Sequence, residues 1–210
     1  MFGCGSEEPE GGDGDRVVVA ALGDSITAGS PLWDPEPTIR GQIPTPDERS
    51  RFEYWAARER PELEFSNCGV FGERTDEIAA RLVECAAGAD VLLVQGGIND
   101  IAQGVPPDAA ADGLRGMVRA GKEAGLEVML VDVLPWNNGH PSADRPIEAL
   151  NRAIREIGRA EDVEVVPFHD ELEDPAAPGT MAAELTDDGD HPSVEGYRRL
   201  GELLAQRLGP

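Results

Sequence analysis

Five residues in this chain have the types and spacing that acyl transfer requires. Ser25 closes a Gly23-Asp24-Ser25 turn directly after an apolar run, where a hydroxyl stands at the end of a strand close to free backbone amides. On its own such a serine serves equally as an N-cap, and the GxSxG elbow is absent. Asp188 and His191 are three apart around Gly189. In one turn that spacing lets the carboxylate meet the imidazole Nδ1 and leaves Nε2 free as a base, with Pro192 and the helix after it to fix the turn. Asn99 follows two glycines and carries a side-chain amide that can donate, while Gly72 can offer an unobstructed backbone N–H. Together with the Ser25 N–H they supply three donors for an oxyanion, and losing one such donor typically costs about 10² to 10³ in rate.

Residues 25, 72, 99 and 191 are far apart in the chain, so a scaffold must gather them. Short apolar runs alternate with helix-patterned stretches, the rhythm of βαβ units and a parallel sheet. Strands are expected over 16–22, 63–67, 91–95, 128–133 and 163–167, and helices over about 50–59, 76–86, 109–124, 145–159 and 193–208. Thr75-Asp76 and Ser193 are the expected N-caps. Five parallel strands with right-handed crossovers and helices on both faces make a three-layer α/β/α sandwich. Such sheets keep their chemistry at the carboxyl ends of the strands. All the polar, glycine-rich segments fall there: 23–25, 67–75, 96–100, 134–140 and 187–192. Two connections, 30–49 and 168–186, are too long for simple turns and read as functional or loosely ordered.

Composition narrows the partners. The chain has 210 residues with 41 Asp+Glu against 18 Lys+Arg, a formal net charge of −23. That balance argues against nucleic acid, which needs clustered cations, and against anionic membrane surfaces. With 40% hydrophobic and 28% charged residues, it reads as one globular domain that folds without a disulfide or metal. No set of His, Asp and Glu has metal spacing, and no apolar run approaches the roughly 20 residues of a membrane span. Lys122 is the only lysine. Salt adaptation and a GC-biased coding sequence both account for that. Residues 1–15 form a Gly/acid-rich arm that cannot pack. The arm holds five acids and no base, so the domain over 16–210 still carries −18.

Four segments, 23–25, 67–75, 97–100 and 188–192, stand in the order of the motifs of the SGNH hydrolases, the GDSL family of esterases and lipases. The sequence resembles that family over about 17–208. The resemblance implies a flavodoxin-like α/β fold, Ser25 as nucleophile, Gly72 and Asn99 as oxyanion donors, His191 as general base and Asp188 as its orienting acid. It implies no cofactor and no metal, and a small-molecule or glycan ester as substrate. The departures are the proline-rich 30–49 insertion and Arg74. Short acyl, aryl, thioester and lysophospholipid substrates remain open beside glycan deacetylation. A non-catalytic surface module would have no reason to keep the four residues, and a nucleotide-binding domain would show GxGxxG or a Walker motif.

Other residues read more plainly. Asp24 is expected as a local turn residue, Asp100 as a cap for the segment after it, and His140 and His169 as solvent-loop histidines. Trp33 and Trp136, large aromatics in loops above the sheet, are candidates either to line the substrate pocket or to pack in the core. Cys68 and Cys85 are either a disulfide of an exported protein or two buried apolar side chains. The arm resembles a bacterial lipoprotein tether, with Cys4 as its lipid-anchor site. The alternative is a cytoplasmic protein.

Overall fold

The computed structural model describes residues 16–29, 47–136 and 138–209. Five β-branched and leucine-rich runs form the strands β1 (Val17–Gly23), β2 (Leu63–Gly69), β3 (Val91–Val94), β4 (Glu127–Val131) and β5 (Glu164–Val166). They pair in parallel throughout, in the order β2-β1-β3-β4-β5. At the centre Val19 is in register with Phe65 on one side and Val91 on the other. This order has its topological switch between β1 and β3, where doubly wound sheets open a crevice at their carboxyl ends.

Because side chains alternate along a strand, each face of the sheet builds its own core. Val19 and Ala21 pack with Phe52, Phe168, Tyr197, Leu200 and Leu204, whereas Ala20 and Leu22 pack with Ile78, Leu114, Met117, Leu150 and Ile154. The first face is covered by α2 (Phe52–Glu59), α8 (Phe168–Leu172) and α9 (Val194–Arg207), the second by α3 (Thr75–Ala80), α6 (Pro107–Glu123) and α7 (Asp144–Glu161). Three short helices, α1 (Ser25–Ala28), α4 (Leu82–Cys85) and α5 (Ile98–Ala102), come after strand ends or helix breaks. The long α6 starts with proline at its first position, where no amide partner is lost. It buries Ala110, Ala111, Leu114, Met117, Val118 and Gly121, the spacing of one helical face.

The three-layer α/β/α sandwich is as the alternating pattern requires, and three local expectations are corrected. The helix expected over 76–86 breaks at Arg81 into α3 and α4. There the arginine side chain turns back to strand-end carbonyls, and Cys85 is tied to Cys68 by a disulfide. Thr75-Asp76 does not cap α3. The cap residue is Arg74, whose N–H donates to Glu77 Oε2 at 3.0 Å. Thr75 instead donates its N–H and its hydroxyl to Asp100 at 2.9 and 2.8 Å, so Asp100 serves α3, which precedes it in the chain, and does not cap the segment after it. Ser193 does cap α9, accepting from the Gly196 N–H.

The disulfide resolves the open choice for Cys68 and Cys85. Cys4, Trp33 and residues 30–46 of the long connection lie outside the described residues. Among the described residues no helix is long and apolar enough to cross a membrane.

Candidate active site

β1 ends at a glycine against which side chains pack too closely for a Cβ. A Cβ on Gly23 would stand 2.2 Å from Thr27 Oγ1 and 2.5 Å from Gln95 Oε1. The turn after it is fixed from three sides. Asp24 Oδ1 accepts from the Ile26 N–H at 2.9 Å, and the Asp24 N–H and Thr27 hydroxyl donate to Gln95 Oε1 at 3.1 and 2.9 Å. The buried Tyr197 hydroxyl donates to the Ile26 carbonyl, fastening α1 to α9. Asp24 is therefore the local turn residue expected of it. Burial pushes its carboxyl up to about 6 against the pull of the Ile26 amide, and its Oδ2 is buried without a partner.

Ser25, at the first position of α1, lies with its Oγ 3.1 Å from His191 Nε2. His191 Nδ1 lies 3.1 Å from Asp188 Oδ2. The i to i+3 spacing works through the backbone as well as the ring. Asp188 Oδ1 accepts from the N–H groups of Asp190 and His191 at 2.8 and 2.7 Å, so the turn orients its own carboxylate. Gly189, at φ 85°, provides the left-handed step. The Thr186 hydroxyl closes the turn, donating to the His191 carbonyl and accepting from the Gly189 N–H. Partial desolvation raises the Asp188 pKa, but the hydrogen bonds from the His191 ring and the two amides outweigh it and hold the carboxyl at about 2. An ionised Asp188 keeps the ring proton on Nδ1 and leaves Nε2 to accept from the Ser25 hydroxyl.

Asn99 opens onto the same cleft as Ser25 and His191. Its Nδ2 donates one hydrogen to the Glu73 carbonyl at 3.0 Å, which fixes the amide and leaves the second hydrogen available. Gly72 sits on the adjoining loop at φ 77°, with open space where a Cβ would be. No described residue accepts from its N–H, and its carbonyl accepts from Gln103 Nε2. The structure thus brings Ser25, Asn99, His191 and Asp188 together directly. Gly72 joins them one residue away, through Glu73.

The cleft is about 460 Å³ with its open mouth, walled by Ile98, Ala102 and Trp136 beside the polar residues. A narrow, mostly apolar recess shares Ile26, Ile98, Trp136 and Asp190 with it and runs along Gln95, Val133, Leu134 and Pro135. Trp136 donates its Nε1–H to Asp190 Oδ1 at 2.7 Å and stacks on the His140 ring with centroids 3.9 Å apart. His140 Nε2 is 3.1 Å from the same carboxylate oxygen. His140 does lie in a loop, with 42% of its side chain exposed, but it also backs the cleft wall through a partner 50 positions away. His169, by contrast, is not in a loop. It lies on α8, with its backbone N–H donated to Asp132. Among the described residues no group of three or more His, Cys, Asp and Glu side chains is placed to hold a metal ion.

The sequence pattern of the GDSL-like lipase/acylhydrolase family matches residues 21–199. The chain belongs to that family. It is accordingly a carboxylic ester hydrolase, and Gly23-Asp24-Ser25 is the GDSL motif with Ile26 in the leucine position. An arylesterase of Vibrio mimicus is 27% identical over 145 residues, 68% of each chain. Among solved structures, a lipolytic protein of the G-D-S-L family from Desulfitobacterium hafniense DCB-2 superposes with a TM-score of 0.75 at 19% identity, covering 92% of this chain and 100% of that one. The lipase/acylhydrolase of Enterococcus faecalis gives 0.70 at 22% identity, covering 91% and 94%. At these identities the likeness concerns the fold, which is the GDSL/SGNH fold.

Proposed function

We propose that this GDSL acylhydrolase is a serine esterase acting on short-chain acyl or aryl carboxylic esters through an acyl-enzyme. The observation that carries the reading is the continuous relay Asp188–His191–Ser25, with both side-chain contacts at 3.1 Å. Ser25 Oγ passes its proton to His191 Nε2 and attacks the ester carbonyl carbon. The carbonyl π electrons move to oxygen, and the Asn99 amide and the Gly72 and Ser25 N–H groups receive that charge. His191 returns the proton to the departing alkoxide. Water, deprotonated by the same histidine, then attacks the acyl-enzyme and frees the acid and Ser25.

The enclosed part of the cleft favours a small acyl group. The recess under Trp136 has mostly apolar walls and room for little more than a water-sized group, and Trp136 offers an aromatic face beside the nucleophile. The name of the Vibrio mimicus relative, an arylesterase, agrees with an aryl ester. The aromatic wall with Asp190 at its edge also suits a sugar ring, which keeps glycan deacetylation as the second reading. The Cys68–Cys85 disulfide supports an oxidising compartment. A panel of p-nitrophenyl esters from acetate to decanoate, phenyl acetate and an acetylated oligosaccharide tests the assignment. The highest kcat/KM is expected on acetate to butyrate and on phenyl acetate. Preference for decanoate would refute the short-acyl reading, and preference for the oligosaccharide would transfer it to the second.

A further inference from the structure

Arg81 makes more contacts around the cleft than its position on the helix pair would suggest. Its guanidinium donates from Nε and Nη2 to Glu73 Oε2 at 2.9 and 2.6 Å, from Nη1 to the Cys68 carbonyl at 2.7 Å and from Nη2 to the Gly23 carbonyl at 3.1 Å. Both partners of the ion pair are well covered, with 25% and 19% of their side chains exposed. The three acceptors lie at the strand ends and on the loop that flank the site. Gly23 is the last residue of β1, two before Ser25, and its carbonyl also accepts from the Val70 N–H. Cys68 is near the end of β2. Glu73 comes directly after Gly72, and its carbonyl is the acceptor that orients Asn99.

We propose that Arg81 is a positioning residue for the oxyanion donors: it fixes the loop carrying Gly72 and Glu73 against the strand end carrying Ser25. The inference rests on the assignment of Ser25, Gly72 and Asn99 given above. A planar guanidinium presents five donors in a rigid fork and so holds two carbonyls and a carboxylate in one fixed arrangement, which the three rotatable donors of a lysine ammonium match less well. Without it the Glu73 side chain loses its anchor, and the Glu73 carbonyl no longer holds the Asn99 amide in one orientation. The misplacement is felt when charge develops on the carbonyl oxygen, not when the ester binds. Arg81 touches no substrate, so its effect runs through Asn99 and Gly72.

The test uses Arg81→Met, Arg81→Lys and Glu73→Gln in the full chain, with kcat and KM for p-nitrophenyl acetate measured separately, and each again in an Asn99→Ala background. Arg81→Met is expected to lower kcat roughly 10- to 100-fold, part of the loss typical of removing a donor outright, with KM within about threefold. Arg81→Lys should recover part of that loss. In the Asn99→Ala background the Arg81→Met penalty should shrink, since the part carried by Asn99 is already lost and only the part carried by Gly72 remains. Inhibition by a phenylboronic acid, whose serine adduct is tetrahedral and anionic, should weaken by the same factor as kcat/KM. If Arg81→Met does not fold, Arg81→Lys and Glu73→Gln carry the test, since Glu73→Gln leaves both carbonyl contacts in place. Wild-type kcat in the folded variants would overturn the proposal. A penalty unchanged by Asn99→Ala would also overturn it, as it would show a structural role alone. Ser25→Ala is assayed alongside: full activity in that variant would overturn the nucleophile assignment instead, and with it the premise of the proposal.

Discussion

Asp188 provides the sharpest test of how the proposed relay is built, because its environment is unusual for such an acid. It meets His191 Nδ1 at 3.1 Å, yet 51% of its side chain is exposed while the imidazole is only 8% exposed. Two unit charges about 4 Å apart gain about 1 kcal/mol in water and about 4 kcal/mol at an effective dielectric near 20. A pair with one partner covered and one half in water falls between, at about 2 to 3 kcal/mol for the imidazolium formed in the transition state. That converts to roughly 30- to 150-fold in rate. Asp188→Ala should therefore lower kcat/KM on p-nitrophenyl acetate by about 10². Asp188→Asn should be worse. Its Oδ1 can still accept from the Asp190 and His191 amides, which turns the new NH₂ toward Nδ1. The ring then carries its proton on Nε2 and cannot accept from Ser25, a loss approaching about 10⁴. Steady-state kinetics on the two variants with Ser25→Ala as the floor decide the matter. An Asp188→Ala loss below threefold, or an Asp188→Asn enzyme more active than Asp188→Ala, would refute the reasoning.

Asn99→Ala should lower kcat by about 10² to 10³ with KM within threefold, and a rise in KM at unchanged kcat would contradict an oxyanion role. Glu53 is buried on α2, where burial pushes its pKa to about 8, above the ordinary 4.5. Its Oε1 accepts from Asn67 Nδ2 while its Oε2 has no partner. The folded state thus keeps a proton that the unfolded chain releases, so this group's contribution to stability falls as pH rises from about 4.5 to about 8. Glu53→Gln should nearly match the wild type in urea titration at pH 4.5 and exceed it by about 4 kcal/mol at pH 8; a difference constant with pH would refute the account. The Cys68–Cys85 link spans 17 residues, so its reduction or a Cys68→Ala/Cys85→Ala pair should cost about 3 kcal/mol in the same titration. An unchanged midpoint would show that the bridge does not constrain the unfolded chain.

What could be read from the sequence is what depends on neighbours in the chain. The runs VVVAAL and VLLV specify buried parallel strands because both sides of each pleat must be apolar, and the glycine-rich segments mark the strand ends. Asp188 and His191 can be paired from spacing because a single turn contains both. Contacts across the fold leave no such trace. Nothing in the acid-rich composition distinguishes Glu73 or Arg81, whose pairing depends on a loop folding back over a strand end. His140 gives no signal for the same reason: its partner Asp190 arrives from a different loop. The break at Arg81 is also hidden, since the 76–86 stretch keeps helical spacing and the interruption comes from tertiary hydrogen bonds and the disulfide. Cysteine spacing alone leaves the Cys68–Cys85 pairing undecided, because the two lie on different elements, β2 and α4.

The central claim is that Ser25 is the nucleophile. Treating the folded protein with a fluorophosphonate and locating the adduct by peptide mass spectrometry tests it most directly. One adduct on the Ser25 side chain is expected, with stoichiometric loss of p-nitrophenyl acetate hydrolysis and no labelling of Ser25→Ala. An active enzyme that stays unlabelled at Ser25, or a Ser25→Ala variant that hydrolyses the ester at the wild-type rate, would contradict the account.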